Sequence, residues 1–501
     1  MLNITASLLY NYLQCPHRVW RDIYGPKEEK SEEVNPFVKL LWDKGVNHED
    51  KIISKIGQCL NLKEGTFDER FEKTLEALKN GVPLIYQGVI KHGELLGIPD
   101  LLKKMPDGSY IPIDIKSGMA FSGVDEDEGE EGKQKKHYTV QLCLYSDVLI
   151  KLGFSKRKRG KIIDIHGDEV EYDLVSPRGP KTKETGWEFY ERIKKYVEFL
   201  LKNQEKNKPA MAGICKLCPW YASCKKWCEE KNDLSTVFYL GRSYRDTLND
   251  DIFVDKVEEL LDIDIPELLK QKKKDKEFLK DLGEKRLGTF KRRANINVNT
   301  KEPVVYEKID FPKVTYELFF DIEDDPTQEF VYMHGVYERK DGKGRYVDFT
   351  AKEISAEAEK ETWRKFWDYI DSMPKDDFSV YYYSHHEKTT YRRLRKQYPD
   401  VISEEKLEEF FENPNVIDLY QVVLKNTDWP LGSYSLKALA VYLGFKWRDE
   451  TPSGALSIQW FNDYIETKNE NVLKRILLYN EDDCKATMVL KDGIEKLQQN
   501  K

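Results

Sequence analysis

Three groups of residues in this chain have types and spacings that could do chemistry. Asp114 and Lys116 stand two apart in Ile113-Asp114-Ile115-Lys116, downstream of Asp100 in Gly97-Ile98-Pro99-Asp100 and of His48 in Gly45-Val46-Asn47-His48-Glu49. Asp321 and Glu323 end the apolar run 316–323, and far downstream Tyr479 and Asp483 stand four apart. Cys15, in Leu13-Gln14-Cys15-Pro16, lies far from the tight group Cys215, Cys218 and Cys224.

Alternate residues of a strand share a face. Ile111, Ile113 and Ile115 therefore point to a core, while Asp114 and Lys116 lie side by side on the other face. His48, Asp100 and Asp114 are three potential ligands for Mg²⁺ or Mn²⁺. Such a metal would lower the pKa of a bound water, and Lys116 would stabilise the charge that develops on a phosphate. Gln141 and Tyr145 share one face of a predicted helix.

The second group follows the same logic. Asp321 and Glu323 share one face of a buried strand, where two acids are costly unless a metal pairs them. Tyr479 and Asp483 share a face of an amphipathic helix containing Leu473, Ile476 and Leu477. Carboxylates from a strand and a helix can hold two Mg²⁺ ions about 4 Å apart for in-line attack on a phosphodiester. Asp418, in Val416-Ile417-Asp418-Leu419, is a further candidate ligand or a strand-end cap.

The cysteines admit two readings. Cys215, Cys218, Cys224 and Cys228 could form a local zinc knuckle. Alternatively, Cys15 joins Cys215, Cys218 and Cys224 around a [4Fe–4S] cluster. Spacing alone leans to zinc. Cys59, Cys143 and Cys484 are expected on apolar helix faces as core thiols.

The elements that must position these groups can be outlined. A helix is expected over 5–24 with Thr5 as N-cap, and another over 36–57. In the latter, Val38, Leu41, Gly45, His48, Ile52 and Ile56 recur at helical spacing, which puts His48 on a buried stripe. Residues 84–116 alternate as three strands, divided by turns at 91–94 and 106–108. An acidic loop spans 125–131, solvated or gating the site mouth. A basic tip, 156–159, sits between two strand-like segments, and a helix runs from Trp187 to about Lys202. Residues 233–300 read as a polar, lysine-rich helical linker. From about 312 the order strand, strand, helix, strand, helix begins a second α/β domain.

A chain of 501 residues with 40% hydrophobic and 34% charged residues implies two or three domains. Its net charge of −8 leaves nucleic-acid contact to local patches. The start Met1-Leu2-Asn3-Ile4-Thr5 lacks a signal-peptide pattern, and no run approaches the ~20 apolar residues of a membrane span. Eight cysteines in such a chain favour metal ligation in a reducing, cytoplasmic setting.

The ordered set G-x2-H-E, G-I-P-D, D-I-K-S-G and Q-L-C-L-Y resembles the RecB-like branch of the PD-(D/E)XK nucleases over roughly residues 1–230. Its cysteine pattern resembles that of the CRISPR-associated exonuclease and the AddB-type nuclease domain. The resemblance implies that His48, Asp100 and Asp114 bind metal, that Lys116 is catalytic, and that Gln141 and Tyr145 support the lysine or the substrate strand. Glu49 is a weaker carry-over. The resemblance also turns the cysteine reading to a [4Fe–4S] cluster on Cys15, Cys215, Cys218 and Cys224.

The D-I-E start and Y-x3-D end over about 312–497 resemble the DEDD exonucleases of the RNase H-like fold, in the variant with a tyrosine in the last motif. The family's middle motif carries an Asp. Here the matching stretch is Tyr383-Ser384-His385-His386-Glu387, so Glu387 would take that place beside Asp321, Glu323 and Asp483.

The tandem order resembles a family of RecB-like nucleases that join an iron–sulfur nuclease domain to an RNase H-like exonuclease domain. The expected architecture is α/β, with a restriction-endonuclease-like domain at 1–232, a helical linker at 233–300 and an RNase H-like domain with a central mixed sheet at 301–501. The expected activity is Mg²⁺- or Mn²⁺-dependent hydrolysis of DNA ends or single strands in repair, recombination or defence, with room for a helicase partner. The alternative is an iron–sulfur scaffold that binds nucleic acid with one or both sites silent, or action on RNA.

Overall fold

The computed structural model describes residues 3–122, 133–177, 179, 182–203 and 207–499; the acidic loop 125–131 lies outside them. The chain divides into two compact units. One comprises Met1–Pro209 with Gly213–Cys224, the other Ala210–Ala212 with Lys225–Lys501.

The first unit is built on a six-stranded mixed sheet. In chain order and in space it runs β1 (Leu60–Asn61), β2 (Leu84–Tyr86), β3 (Leu101–Lys104), β4 (Tyr110–Ile115), β5 (Arg159–Ile163) and β6 (Glu169–Asp173). The β4–β5 pair is parallel, so a crossover helix must join them. The principal helices are α1 (Ala6–Gln14), α2 (Pro16–Tyr24), α3 (Pro36–Ile56), α4 (Lys136–Lys151, the crossover) and α5 (Gly186–Lys202). Val140, Leu144 and Val148 of α4 pack with Leu102, Ile162 and Tyr190 in one apolar cluster. β4 is buried along its whole length, and that burial sets Asp114 deep in the unit.

Several expectations need correction here. The helix over 5–24 is two helices. Thr5 does cap the first, accepting from Leu8 N–H at 3.2 Å, but Cys15 is extended (φ −163°). Pro16 forces the break, because it disfavours helical backbone in the residue before it. In α3 Ile52 is the buried residue. His48 is only half-buried and Leu41 is 40% exposed, because only the last turns of α3 pack on the sheet, where Ile52 meets Tyr86, Ile113 and Ile115.

Residues 84–116 form five short strands instead of three. A separate hairpin, Ile90–His92 with Leu95–Gly97, intervenes between β2 and β3. Gln87 in the left-handed region (φ 56°) ends β2 early. The basic tip 156–159 follows a helix, not a strand, and three of its four cations have partners. Arg157 grips Asp107 twice, at 2.9 and 2.6 Å, and Arg159 meets Glu171 at 3.1 Å. Lys158 lies over the Trp187 ring at 4.2 Å. Cys59 is in the link before β1, not on a helix.

The second unit opens with a helical segment that has its own apolar cluster, including Leu248, Leu260, Leu279, Leu287 and Phe290. Its last α-helix is α6 (Glu284–Asn295). A five-stranded mixed sheet follows: β7 (Tyr316–Asp325), β8 (Phe330–Lys340), β9 (Lys343–Thr350), β10 (Phe378–Tyr382) and β11 (Val416–Asp418). Their order in space is β9-β8-β7-β10-β11. The first two pairings are antiparallel and the last two parallel. β9 is the strand missed in the sequence, an edge strand mostly open to solvent that carries little apolar alternation.

The helices of this unit that concern the site are α7 (Ala356–Asp371), α8 (His385–Gln397), α9 (Leu419–Asn426), α10 (Leu436–Tyr442) and α11 (Glu470–Gln499). Leu318, Phe320 and Ile322 of β7 join an aromatic core with Trp363 and Phe366 of α7 and Tyr391 of α8. Phe319 faces the opposite layer with Leu439 of α10 and Cys484 of α11. The two-residue period places Asp321 and Glu323 on the Phe319 side. A one-residue slip would drive both carboxylates into the aromatic core, so register here is strongly specified.

Candidate metal centres

In the second unit Asp321, Glu323 and Asp483 bring one ligand oxygen each within 4.8 Å of one another. β7 supplies the first two and α11 the third. Glu323 and Asp483 are buried, and β7 bends at a register shift between Glu323 and Asp324. Burial, then the negative neighbours Asp483, Glu323 and Glu387, push the Asp321 carboxyl far above its usual range. Burial and Asp483 raise Glu323 to about 8. Burial also raises Asp483, against the opposing Lys437. Like charges crowded out of water favour protonation or a cation. An all-oxygen donor set suits Mg²⁺ or Mn²⁺, so these residues fit a divalent metal.

Neighbouring groups hold the trio open. Asn480 donates to Asp321 Oδ2 at 2.8 Å and accepts from the Tyr346 hydroxyl at 2.8 Å. Asp321 pairs with Gly335 across β7 and β8. A Cβ on Gly335 would lie 1.7 Å from Asn480 Oδ1, so only glycine lets the amide reach the acid. Trp447 Nε1 donates to Asp483 Oδ1 at 2.7 Å, and the Tyr332 hydroxyl reaches Glu323 Oε2 at 3.3 Å.

Tyr479 is buried. Its hydroxyl bonds to Asp483 and accepts from Lys437 Nζ at 2.9 Å. Asn480, Lys437 and Trp447 were not anticipated from the sequence. A usable signal existed for Lys437, the cation in the otherwise apolar helix LKALAVY. Asn480 directly follows Tyr479.

Glu387 sits in the first turn of α8 after the cap Ser384. It is buried, which raises its carboxyl to about 7. It acts electrostatically on Asp321 but stands outside the tight trio. Asp418 caps α9 through Oδ1, accepting from Tyr420 N–H at 2.9 Å and Gln421 N–H at 3.3 Å.

In the first unit Asp114 forms an ion pair with Lys116 at 2.8 Å. Asp100 Oδ2 accepts from Ile115 N–H at 2.7 Å. Gln87 Nε2, another residue missed from sequence, bridges Asp100 Oδ1 at 3.0 Å and Glu49 Oε1 at 2.8 Å. The Tyr86 hydroxyl donates to the same Glu49 oxygen at 2.8 Å. Burial and then Asp114 push the Asp100 carboxyl up. Burial favours the neutral amine of Lys116, yet Asp114 and Asp100 outweigh it and hold the ammonium charged.

Gln141 donates to the Tyr145 hydroxyl at 3.0 Å, as expected for one helix face. A Cβ on Gly97 would lie 2.5 Å from Tyr145 Cδ1, which explains a glycine just before Pro99-Asp100. His48 is drawn elsewhere. Its Nε2 lies 3.0 Å from the Asp164 carbonyl oxygen, and His48, Asp100 and Asp114 do not form a tight ligand group among the described residues. Lys116 takes Asp114 Oδ2 and Gln87 takes Asp100 Oδ1.

Of the six cysteines in the first unit, Cys15, Cys215 and Cys218 act electrostatically on Cys224, and Cys15 on Cys218. Burial raises the Cys224 thiol to about 12, opposed by Arg21 and reinforced by Cys218, Cys15 and Cys215. Burial raises Cys218 also, with Cys15 contributing. Among the described residues these sulfurs do not form a tight ligand group. Cys228 lies in the second unit, fully buried, with the Ser235 hydroxyl at 3.9 Å from its sulfur. Cys143 and Cys484 are buried on helices.

Among the described residues no helix is long and apolar enough to cross a membrane. No curated protein and no solved structure matches the chain. A family comparison does, and it falls on the β7–α11 segment that carries the carboxylate trio: residues 318–494 match a model of the RNase H superfamily, so this part of the chain is an RNase H-like domain.

Proposed function

We propose that the chain is a metal-dependent nuclease with two active sites, acting on single strands or ends of DNA. The observation that carries the reading is the buried trio Asp321, Glu323 and Asp483 inside the RNase H-like segment. Asp321, Glu323 and Asp483, with Glu387 through a longer reach, would hold two Mg²⁺ or Mn²⁺ ions, which when bound supply Lewis acidity and a water of lowered pKa. Lys437 takes one lone pair of the Tyr479 oxygen and the phenolic proton points to Asp483. One lone pair remains to accept a proton from the attacking water and so orient it. With the tyrosine in this place, the expected reaction is 3′-to-5′ removal of single nucleotides.

The first unit supports a second hydrolytic site of the PD-(D/E)XK kind. Asp100 and Asp114 are its metal ligands, with His48 joining after a rotation away from the Asp164 carbonyl. Lys116 stabilises charge on the phosphate, and Gln141 and Tyr145 brace the strand. The mutual influence of Cys15, Cys215, Cys218 and Cys224 supports a structural [4Fe–4S] cluster tying the early helices to the end of the unit. A helicase is the class of partner that would supply single strands, and repair, recombination or defence the setting.

The test is the purified full chain on a 3′-labelled and a 5′-labelled strand with Mg²⁺ or Mn²⁺. Stepwise release from the 3′ end, lost in Asp321→Ala, is the expected result. Absence of release from a folded chain would mean that the domain binds nucleic acid without cutting it.

A further inference from the structure

The helical segment before the RNase H-like sheet is more than a spacer. A cavity of about 820 Å³ opens between this segment and α9. Its lining includes Tyr239, Tyr244, Lys285, Arg286 and Arg293, with Leu424 of α9 on the far side. Lys285 and Arg286 are exposed, and Arg286 lies over the Tyr244 ring at 4.7 Å. In a chain of net charge −8, α6 carries five cations and one acid, Glu284; Arg292 and Arg293 meet Asp428 at 3.7 and 2.7 Å and Lys291 the Ile263 carbonyl, which leaves Lys285 and Arg286 as the exposed cations of the pocket.

Tyr239 is the telling residue. It is 56% exposed although its backbone is in the left-handed region (φ 66°), an unusual place for a bulky side chain. Its ring stacks on Phe238 at 4.2 Å, which stacks on Tyr434 at 3.8 Å. The packing fixes an aromatic face in solvent. From there a row of tyrosines leads to the acids. The Tyr239 hydroxyl bonds to that of Tyr420. Tyr420 packs edge-on against Tyr383 at 5.4 Å. Tyr383 directly precedes Ser384, whose hydroxyl reaches Glu387 Oε2 at 3.4 Å. Exposed aromatics interleaved with cations are the composition that holds an unpaired strand, rings stacking on bases and cations tracking phosphates.

We infer that this basic, aromatic pocket is the strand-binding track of the RNase H-like site, with Tyr239 stacking a base and Lys285 and Arg286 meeting phosphates of a single-stranded nucleic acid. The inference rests on the nuclease reading above for its direction, since the row ends beside Ser384 and the proposed ligand Glu387. The ligand chemistry is a single polynucleotide strand, of DNA or RNA.

The experiment uses the full chain in EDTA, so that cleavage plays no part. An oligothymidylate carrying one 5-iododeoxyuridine and an oligouridylate carrying one 5-iodouridine are bound, irradiated and mapped by mass spectrometry. Attachment to the peptide containing Tyr239 or Tyr244 is expected, and the strand that attaches identifies the sugar. Tyr239→Ala, and separately the pair Lys285→Glu with Arg286→Glu, should weaken binding of that strand roughly 10–100-fold at unchanged melting temperature. Adducts confined to other segments, or unchanged affinity in both variants, overturn the inference. So does equal binding of polyglutamate, which would mark the pocket as a dock for an acidic protein. A chain that attaches at Tyr239 but never cuts sinks only the catalytic reading; one that trims 3′ ends without attachment there sinks only the track.

Discussion

Lys437 and Tyr479 are joined amine to phenol at 2.9 Å, and the same ammonium lies 4.9 Å from the centre of the Tyr479 ring. A cation on α10 therefore holds the phenol of α11 in one orientation beside Asp483. Its second bond, to the Pro452 carbonyl at 2.9 Å, anchors the lysine itself.

This relationship sets a graded expectation for the second site. Tyr479→Phe removes one positioning hydrogen bond and should lower kcat by about 10–100-fold. Lys437→Met frees the ring and should approach the same loss, with KM little changed. Steady-state kinetics on a single strand, with Lys116→Ala in the background, decides it; full activity in Lys437→Met would show that the amine positions nothing.

The carboxylate trio makes an opposite pair of expectations for activity and stability. Asp483→Asn should abolish 3′ trimming. It should also stabilise the metal-free chain by about 1–3 kcal/mol, and so raise its melting temperature, because it removes one of three mutually repelling buried acids. Added Mn²⁺ should stabilise the unaltered chain more than the variant. Thermal melts in EDTA and in Mn²⁺ measure both, and a destabilised metal-free variant would refute the repulsion argument.

For the first unit, Lys116→Ala should end its cleavage while metal binding largely persists, since the amine acts on charge and is not a ligand. It also leaves Asp114 buried without its ion-pair partner, at a cost of about 3–5 kcal/mol. The readouts are cleavage with Asp321→Ala already in place, manganese binding by calorimetry, and urea unfolding. Undiminished cleavage would remove Lys116 from the mechanism.

Protein purified without oxygen should be brown and contain iron, and Cys15→Ala should lose the colour and loosen the first unit. Elemental analysis distinguishes the outcomes. Stoichiometric zinc without iron would restore the local knuckle of Cys215, Cys218, Cys224 and Cys228.

His334 gives the second unit an acid sensitivity of calculable sign. Burial lowers its pKa to about 3, and its Nδ1 lies 2.7 Å from the Tyr391 hydroxyl. The unfolded value is about 6.5, so the stabilising contribution is present above that pH and is lost as pH falls toward the folded value. Going from pH 7.5 to 5 should cost about 2 kcal/mol. His334→Gln should flatten that part of the stability profile; an unchanged slope would show that another group carries it.

What the sequence by itself determined was local. The two-residue period of 316–323 put Asp321 and Glu323 on one side of a strand, and the four-residue spacing put Tyr479 beside Asp483. The Thr5 cap and Gln141 with Tyr145 were likewise legible, because each depends on neighbours within one turn or one pleat. Tertiary structure decided the rest. It brought α11 over β7, set Lys437 and Asn480 against the acids, turned His48 to a backbone carbonyl, and left Leu41 in solvent. It also made the segment before the sheet one wall of a basic pocket. None of these has a periodicity to read. Each follows from which apolar faces pack together, and packing joins residues whose separation along the chain carries no local signal.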